Sequence, residues 1–343
     1  MLISKIMYKR NVILSGANGF IGSHCLEYML KNTDWNFICP CSWKHKGTPE
    51  RITEIFDRSP EYLDRVRVMT HDLTAPFTEH TISTFPQIDY IINVASDSHV
   101  YRSIEDPVPF IKNNVDLILT MLELARIVKP KVFLQVSTDE VYGSAPIGTR
   151  YKEWDAILPS NPYAASKAAQ EALAISYWRT YDVPLVLTNT VNNFGENQDS
   201  EKYLSKLIKL IHNDETVTIH GNDNYIGGRY YIYVDNHADA ILHILQNIPV
   251  KMCKEEQDRP LRFNVTSDDE LDNREVAIMV ADLMKKELKY KLLDFHVERK
   301  GHDRRYALDG TNLKETGWVM PFQFKESLLK YIDWSLNNKQ WLN

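Results

Sequence analysis

The chain has 343 residues, 43% of them hydrophobic and 25% charged. That length is too much for one small core and fits one large α/β unit with a second lobe, or two domains. A net charge of −6 and a pI near 6.0 argue against nucleic acid and membrane surfaces as partners. Residues 1–10 lack an apolar h-region and a small-residue cleavage site, and no apolar run approaches the ~20 residues a membrane span needs. The expectation is a soluble cytoplasmic protein. Cys25, Cys39, Cys41 and Cys253 form no CxxC pair and stand near no ligand cluster, so they read as reduced thiols and no metal site is expected.

In chain order, residues 11–15 read as a strand and 20–31 as a helix, followed by strands at 36–39, 66–69, 90–94 and 132–136. Between the last two, residues 107–128 carry Phe110, Ile111, Val115, Ile118, Leu119 and Leu122 at largely helical spacing. A second long helix is predicted over 161–181 and a strand over 185–189. Such alternation predicts a Rossmann-like, doubly wound parallel sheet covered on both faces, with a smaller mixed α/β C-terminal substrate lobe. Beyond Asn192 the rhythm is less regular, with helices predicted over 202–213, 237–246, 273–286 and 325–336. Tyr230 to Val234 is expected to return to the large lobe, and Ser267 to Glu270 to form a solvated loop leading into a helix. The expected partition is 1–190 plus about 229–263 for the dinucleotide-binding domain, and 191–228 plus 264–343 for the substrate lobe.

Gly16, Asn18, Gly19, Phe20, Ile21 and Gly22 lie between the first strand and the first helix, in a G-x-x-G-x-x-G run. Glycines there permit a tight turn and let backbone N–H groups approach a pyrophosphate, and the helix N-terminus adds partial positive charge. The cofactor expected is NAD or NADP. An Asp or Glu about 20 residues beyond the glycines reads the ribose diol of NAD, but the segment holding Ser42, Trp43, Lys44, His45 and Lys46 has none. That favours NADP slightly, although a solvated basic loop would look the same. Asp72 and Leu73, after the third strand, are placed to meet the adenine edge, unless Asp72 merely caps a turn.

Tyr163 and Lys167 stand four apart at the start of the second long helix and so share a face. A nearby ammonium and an oxidised nicotinamide favour the phenolate of such a tyrosine, making a base for a hydroxyl proton. Ser137 and Thr138 close the preceding strand, and Asp139 and Glu140 follow at once.

The order of these motifs resembles the extended short-chain dehydrogenase/reductases over nearly the whole chain. The run from Ser137 to Gly143 is similar to the signature of the dTDP-glucose 4,6-dehydratases, as are Ser98-His99-Val100, Arg102-Ser103-Ile104, Asn192 to Gly195, Glu201-Lys202 and Gly301 to Ala307. The resemblance implies that Glu140 removes the C5 proton of a 4-keto sugar, that Asp139 donates to the departing C6 hydroxyl, and that Thr138 binds O4 beside Tyr163. It implies that Val94, Ala95, Ser96, Asn114, Val136 and Ser137 line the cofactor with Tyr163 and Lys167. It also implies that Ser98, His99, Thr138, Asn193, Lys202, Arg229, His302 and Arg304 bind the nucleotide-diphosphate hexose. The activity implied is conversion of an NDP-hexose, dTDP-glucose or UDP-glucose-like, to its 4-keto-6-deoxy form by a homodimer. A 5,6-dehydratase or epimerase of the same fold is the sibling reading, and a cofactor-binding scaffold or sensor the non-enzymatic one. The chain departs from the family pattern at Tyr101, where Asp is usual, at Ser96-Asp97 in place of Ala-Glu, and in the glycine-rich stretch 221–229.

Overall fold

The computed structural model describes residues 9–44, 46–222, 225–250, 258–294 and 303–342. Its elements run β1 (Asn11–Ser15), α1 (Phe20–Asn32), β2 (Asn36–Cys41), α2 (Glu50–Arg58), β3 (Val66–Thr70), α3 (Glu79–Ser83), β4 (Tyr90–Asn93), α4 (Val100–Glu105), α5 (Pro107–Val128), β5 (Val132–Thr138), α6 (Pro162–Tyr181) and β6 (Leu185–Thr190). There follow β7 (Asn192–Phe194), α7 (Tyr203–His212), β8 (Val217–Asn222), β9 (Tyr225–Ile226), β10 (Gly228–Tyr233), α8 (Val234–Asn247) and β11 (Leu261–Val265). The described part closes with β12 (Glu270–Asp272), α9 (Asn273–Met284), β13 (Tyr290–Leu293), α10 (Thr311–Glu315) and α11 (Phe324–Asn337).

A seven-stranded parallel sheet has the order β11-β6-β5-β4-β1-β2-β3. Its central strands are apolar runs because both faces are covered: all seven residues of β5 and all six of β6 are buried. On one face α1 and α8 pack with Met29, Leu26, Ile241 and Ile244. On the other, α5 and α6 pack with Met121, Ile118, Trp178 and Phe133. Truncating a fully buried side chain such as Trp178 to Ala would cost about 3–5 kcal/mol. The chain runs outward from β1 to β3 and then crosses back to β4, so the topological switch point, the usual ligand position of such sheets, lies beyond the C-terminal ends of β1 and β4.

Two smaller three-stranded sheets, β12-β10-β7 and β13-β8-β9, stand beside the seven-stranded one. Tyr230 to Val234, expected to return to the large lobe, meets it by side-chain packing and not by strand pairing. β10 pairs parallel with β7 and antiparallel with β12, and β11 takes the sheet edge beside β6 instead. The reason is strand alternation. Tyr230 and Ile232 face the large core while Tyr231 and Tyr233 face the small one, so β10 is a wall between two cores. Glu270 of the expected acidic loop opens β12 and pairs with Arg305. Among the described residues no helix is long and apolar enough to cross a membrane.

Candidate active site

At the end of β1, Gly16 adopts φ +75, and a Cβ on it would stand 2.9 Å from the Ala95 backbone beyond β4. At Gly22 a Cβ would lie 2.0 Å from the Gly16 carbonyl oxygen. Only hydrogens fit at these two positions, so the turn is pressed between strand end and helix. Gly19 caps α1 with no side-chain bond and no acidic residue in the first turn. Phe20 and Ile21 open that helix, and buried Asn18 accepts the Thr48 N–H through its carbonyl, 3.0 Å. Uncapped N–H groups beside a glycine turn suit a dinucleotide pyrophosphate, so the cradle fits the cofactor by shape and by donor set.

The adenosine end differs from expectation. Lys44 is ion-paired with Asp72, which also accepts from the Thr74 N–H (3.1 Å) and hydroxyl (2.9 Å). Lys44 and Thr74 together hold the Asp72 carboxyl down to about 2. Trp43 donates its indole N–H to Thr70, 2.9 Å, from a left-handed backbone conformation, with Ser42 half-buried before it. Leu73 is buried, and Val94, Ala95 and Ser96 are half-buried beyond β4. A 2′-phosphate would therefore meet a neutralised Lys44–Asp72 pair rather than a free cation. His45 lies outside the described residues.

The catalytic candidates converge at the end of β5. Asn161 caps α6 by accepting the Ala164 N–H through Oδ1, 2.9 Å, with Pro162 at the first helical position, where its missing N–H costs nothing. Tyr163 and Lys167 are thereby buried on one face of α6. Thr138 hydrogen-bonds the Tyr163 hydroxyl. Burial, and then the charge of Glu140, push that phenol well above its ordinary range, while burial draws Lys167 down to about 8. Lys167 donates to the Val136 carbonyl (2.8 Å) and to Gln170 Oε1 (2.7 Å). Asn114 of α5 donates to the Asp97 carbonyl (3.0 Å) and to Ser166 (2.9 Å), tying α5 to α6.

Asp139 and Glu140 open a short 3-10 turn after β5, and their surroundings are unequal. Asp139 is 4% exposed; Oδ1 accepts from Thr138, 3.0 Å, and Oδ2 is buried with no partner among the described residues. Burial, then the Glu140 charge, raise it to about 7. Glu140 Oε2 accepts from Asn161 (3.1 Å) and from Tyr306 (3.1 Å). Burial raises it too, but those donors and the charges of Arg229 and Lys202 work the other way.

The chain is similar to known proteins in sequence and fold. The family model described as GDP-mannose 4,6 dehydratase matches residues 13–330. The chain belongs to this family. The low-salt glycan biosynthesis protein Agl12 of Haloferax volcanii is 33% identical over 334 residues, covering 96% of this chain and all of that one. The dTDP-glucose 4,6-dehydratase of Salmonella typhimurium is 29% identical over 357 residues, covering 97% and 94%. The solved dTDP-glucose 4,6-dehydratase DesIV of Streptomyces venezuelae, with NAD bound, superimposes with TM-score 0.83 at 27% identity, covering 96% and 98%. A UDP-glucuronic acid 4-epimerase of Bacillus cereus shares the fold at 20% identity. The chain is thus an enzyme of the extended short-chain dehydrogenase/reductases, in the nucleotide-sugar dehydratase class. The solved relative holds NAD, and the slight preference for NADP finds no support.

Within this family framework the residues expected to bind substrate are placed less uniformly. Ser98 is exposed beside β4. His99 caps α4 through Nδ1 and meets Glu201 through Nε2, 3.0 Å. Asn193 donates to Thr190 (3.0 Å) and Val191 (2.9 Å) and faces His237 (3.0 Å), while Lys202 precedes α7. Arg229 donates to the carbonyls of Gly228 (2.8 Å), Arg304 (2.8 Å) and Asp303 (2.6 Å), and its guanidinium lies 4.4 Å from the Tyr306 ring centre. Arg304 stands over Tyr225. Arg229 is therefore first a stitch that holds residues 303–306 against β10. His302 lies outside the described residues. Ser137 is buried, its hydroxyl without a partner among the described atoms. Tyr101, at the position where the family pattern has Asp, is exposed and bonded to Glu105.

Sequence reasoning gave no role to Asn161 or Tyr306, the two donors to Glu140. The Asn-Pro step ahead of a helix is a visible cap signal. Tyr306 reaches Glu140 across 166 positions, and no local pattern carries that.

Proposed function

We propose that the chain is a nucleotide-sugar 4,6-dehydratase that converts an NDP-hexose, of the dTDP-glucose or UDP-glucose kind, to the NDP-4-keto-6-deoxyhexose with NAD as resident cofactor. The observation that carries this is the split between Asp139 and Glu140. One carboxyl is buried with an oxygen that has no partner among the described residues, and burial raises it to about 7, so a large fraction carries the proton to donate at neutral pH. Its neighbour has two hydrogen-bond donors and two cations in reach and is the better carboxylate. An acid and a base on adjacent residues suit a 1,2-elimination.

Tyr163, helped by Thr138, takes the O4 proton as C4 is oxidised. Held at the Gly16–Gly22 turn, a bound nicotinamide would supply positive charge beside Tyr163 and the hydride-accepting and hydride-donating chemistry that oxidation at C4 and reduction at C6 need. The C4 ketone acidifies C5–H, and Glu140 removes that proton. Asp139 protonates the C6 hydroxyl as the C6–O bond breaks, and water leaves. Glu140 returns a proton to C5 as C6 is reduced. Lys202, Arg304 and His302, with Asn193 and the outer donors of Arg229, are proposed to meet the diphosphate, and Ser98 and His99 the sugar side. The substrate lobe is proposed to be 191–228 plus 264–343. We further infer a cytoplasmic homodimer joined along α5 and α6, where Val108, Ile127 and Tyr181 are exposed.

Mass spectrometry with a panel of nucleotide hexoses in heavy water tests the reading. Loss of one water with deuterium gained at C5 is expected. Epimerisation without water loss would move the chain to the sibling activity.

A further inference from the structure

Among the described residues, Lys167 is the only formal cation of the buried site floor formed by β5 and α6, and it has no carboxylate partner there. Its nearest acidic neighbour, Glu171, is ion-paired with Arg262 of β11 and accepts from Asn189, 2.8 Å. The ammonium is held by two neutral oxygens, the Val136 carbonyl at 2.8 Å and Gln170 Oε1 at 2.7 Å. An ammonium has three N–H groups, so one remains for the face shared with Tyr163.

Gln170 is 0% exposed and does not end there. Its Oε1 also accepts from Gln135 Nε2 (3.2 Å), and its Nε2 donates to the Asn114 carbonyl (2.8 Å). Gln135 Oε1 accepts from Asn93 Nδ2 (2.7 Å), Asn93 Oδ1 accepts from the Ser15 hydroxyl (2.5 Å), and Ser15 Oγ accepts the Ala95 N–H (3.2 Å). Ser15, Asn93 and Gln135 are cross-strand neighbours on β1, β4 and β5, and all three are 0% exposed.

The direction of every amide follows from its ends. An ammonium only donates, so Gln170 must turn its oxygen to Lys167. The Asn114 and Val136 carbonyls only accept, which fixes the nitrogens of Gln170 and Gln135. Asn93 and the Ser15 hydroxyl have one orientation left. Flipping any member leaves two donors or two acceptors face to face in the core, each costing about 1–3 kcal/mol.

We propose that Gln170 is the positioning residue of the Lys167 ammonium, locked by the one-directional chain Gln135–Asn93–Ser15 that reaches the cofactor cradle at Ala95. A neutral acceptor holds the ammonium in place without giving it a counter-charge, which keeps it free to exchange its proton with Tyr163. This rests on the dehydratase reading for its consequence in turnover, but not for its effect on Lys167 itself.

The other charged groups around the Tyr163–Lys167 pair are Asp139 and Glu140 beyond β5, Asp97 beyond β4, and the Glu171–Arg262 pair. On α5 the facing group is the neutral Asn114. The test compares the unaltered holoenzyme with Gln170→Met and Gln170→Glu. Lys167 is titrated by NMR in isotope-labelled lysine protein, its signal assigned by its loss in Lys167→Arg, and the rate of nicotinamide reduction is followed against pH with the hexose that turns over. Gln170→Met should lower the Lys167 titration by about one pH unit, and Gln170→Glu should raise it by about as much. The matching limb of kcat should move the same way, with a loss of rate for Gln170→Met of about twofold at pH 7 that grows toward about tenfold above pH 8, and little change in KM. A Lys167 titration and pH limb unmoved in both variants, whatever the loss of rate, would overturn the proposal. Gln170→Glu preserves shape and carries the test should Gln170→Met not fold. If Lys167 shifts as expected but the unaltered enzyme turns over no sugar, the dehydratase reading fails and the positioning role stands.

Discussion

The floor of the site and its far wall are built by opposite means. The floor, from β5 and α6, is assembled from residues close in sequence or directly paired across strands, and its polar groups are tied side chain to side chain. The wall, residues 303–306, is attached to β10 mainly through backbone: Arg229 donates to the Asp303 and Arg304 carbonyls and lies over the Tyr306 ring, and the Gly228 N–H donates to the Arg304 carbonyl. The floor holds the proton-transfer groups in register, while the wall adjusts one of them, Glu140, through Tyr306. Damage to the floor should remove steps of the reaction. Damage to the wall should only detune it.

The largest effect expected is on the floor. Tyr163→Phe should slow nicotinamide reduction about 10²–10⁴-fold, read as absorbance change in a single turnover, with cofactor still bound. A loss below tenfold would mean another group takes the O4 proton. Next, Glu140→Gln should still reduce cofactor but lose C5 exchange in heavy water, with overall turnover down about 10²-fold. Asp139→Asn should keep that exchange and lose water release. Identical behaviour of the two variants would erase the division of labour between them.

The wall comes third. Arg229→Ala removes charge-assisted bonds each worth about 1.5–3 kcal/mol, so the melting temperature should fall and turnover should drop about tenfold, with Tyr306→Phe reproducing the turnover loss alone. If Arg229→Ala abolishes C5 exchange altogether, floor and wall are not separate. A subtler effect concerns pH. The folded-state value of Asp139, about 7, lies above its ordinary 3.8, so its contribution to stability is fully present below the ordinary value and is lost as pH rises through about 7. Asp139→Asn should flatten the melting temperature over that window. The smallest effect is at the adenosine end: Lys44→Ala should change NAD affinity less than about threefold, since an exposed pair is worth roughly 0–1 kcal/mol. A tenfold loss of NADP affinity in that variant, measured by titration, would restore Lys44 as a phosphate reader.

The same contrast explains what could be read before any fold was in hand. Strands and helices up to β6 follow from apolar runs and helical spacing, and 107–128 is α5 to the residue. The glycine turn and the Tyr163–Lys167 pair were legible because each is local and set by backbone periodicity. β10 was legible only in part, because its apolar, aromatic run is right for burial on two sides, and sequence does not say that the two sides belong to different cores. The Lys44–Asp72 pair was not legible because Asp72 comes from beyond the next strand.

Asn161 does two jobs with one amide: its oxygen receives the Ala164 N–H and its nitrogen supports Glu140. The start of α6 is therefore mechanically linked to the group that handles C5. Any ligand that draws Glu140 toward itself pulls on the helix end, and the Ala164 amide should feel it as a change in solvent exchange. A single backbone proton would then serve as a built-in gauge of what the site holds, readable without turnover.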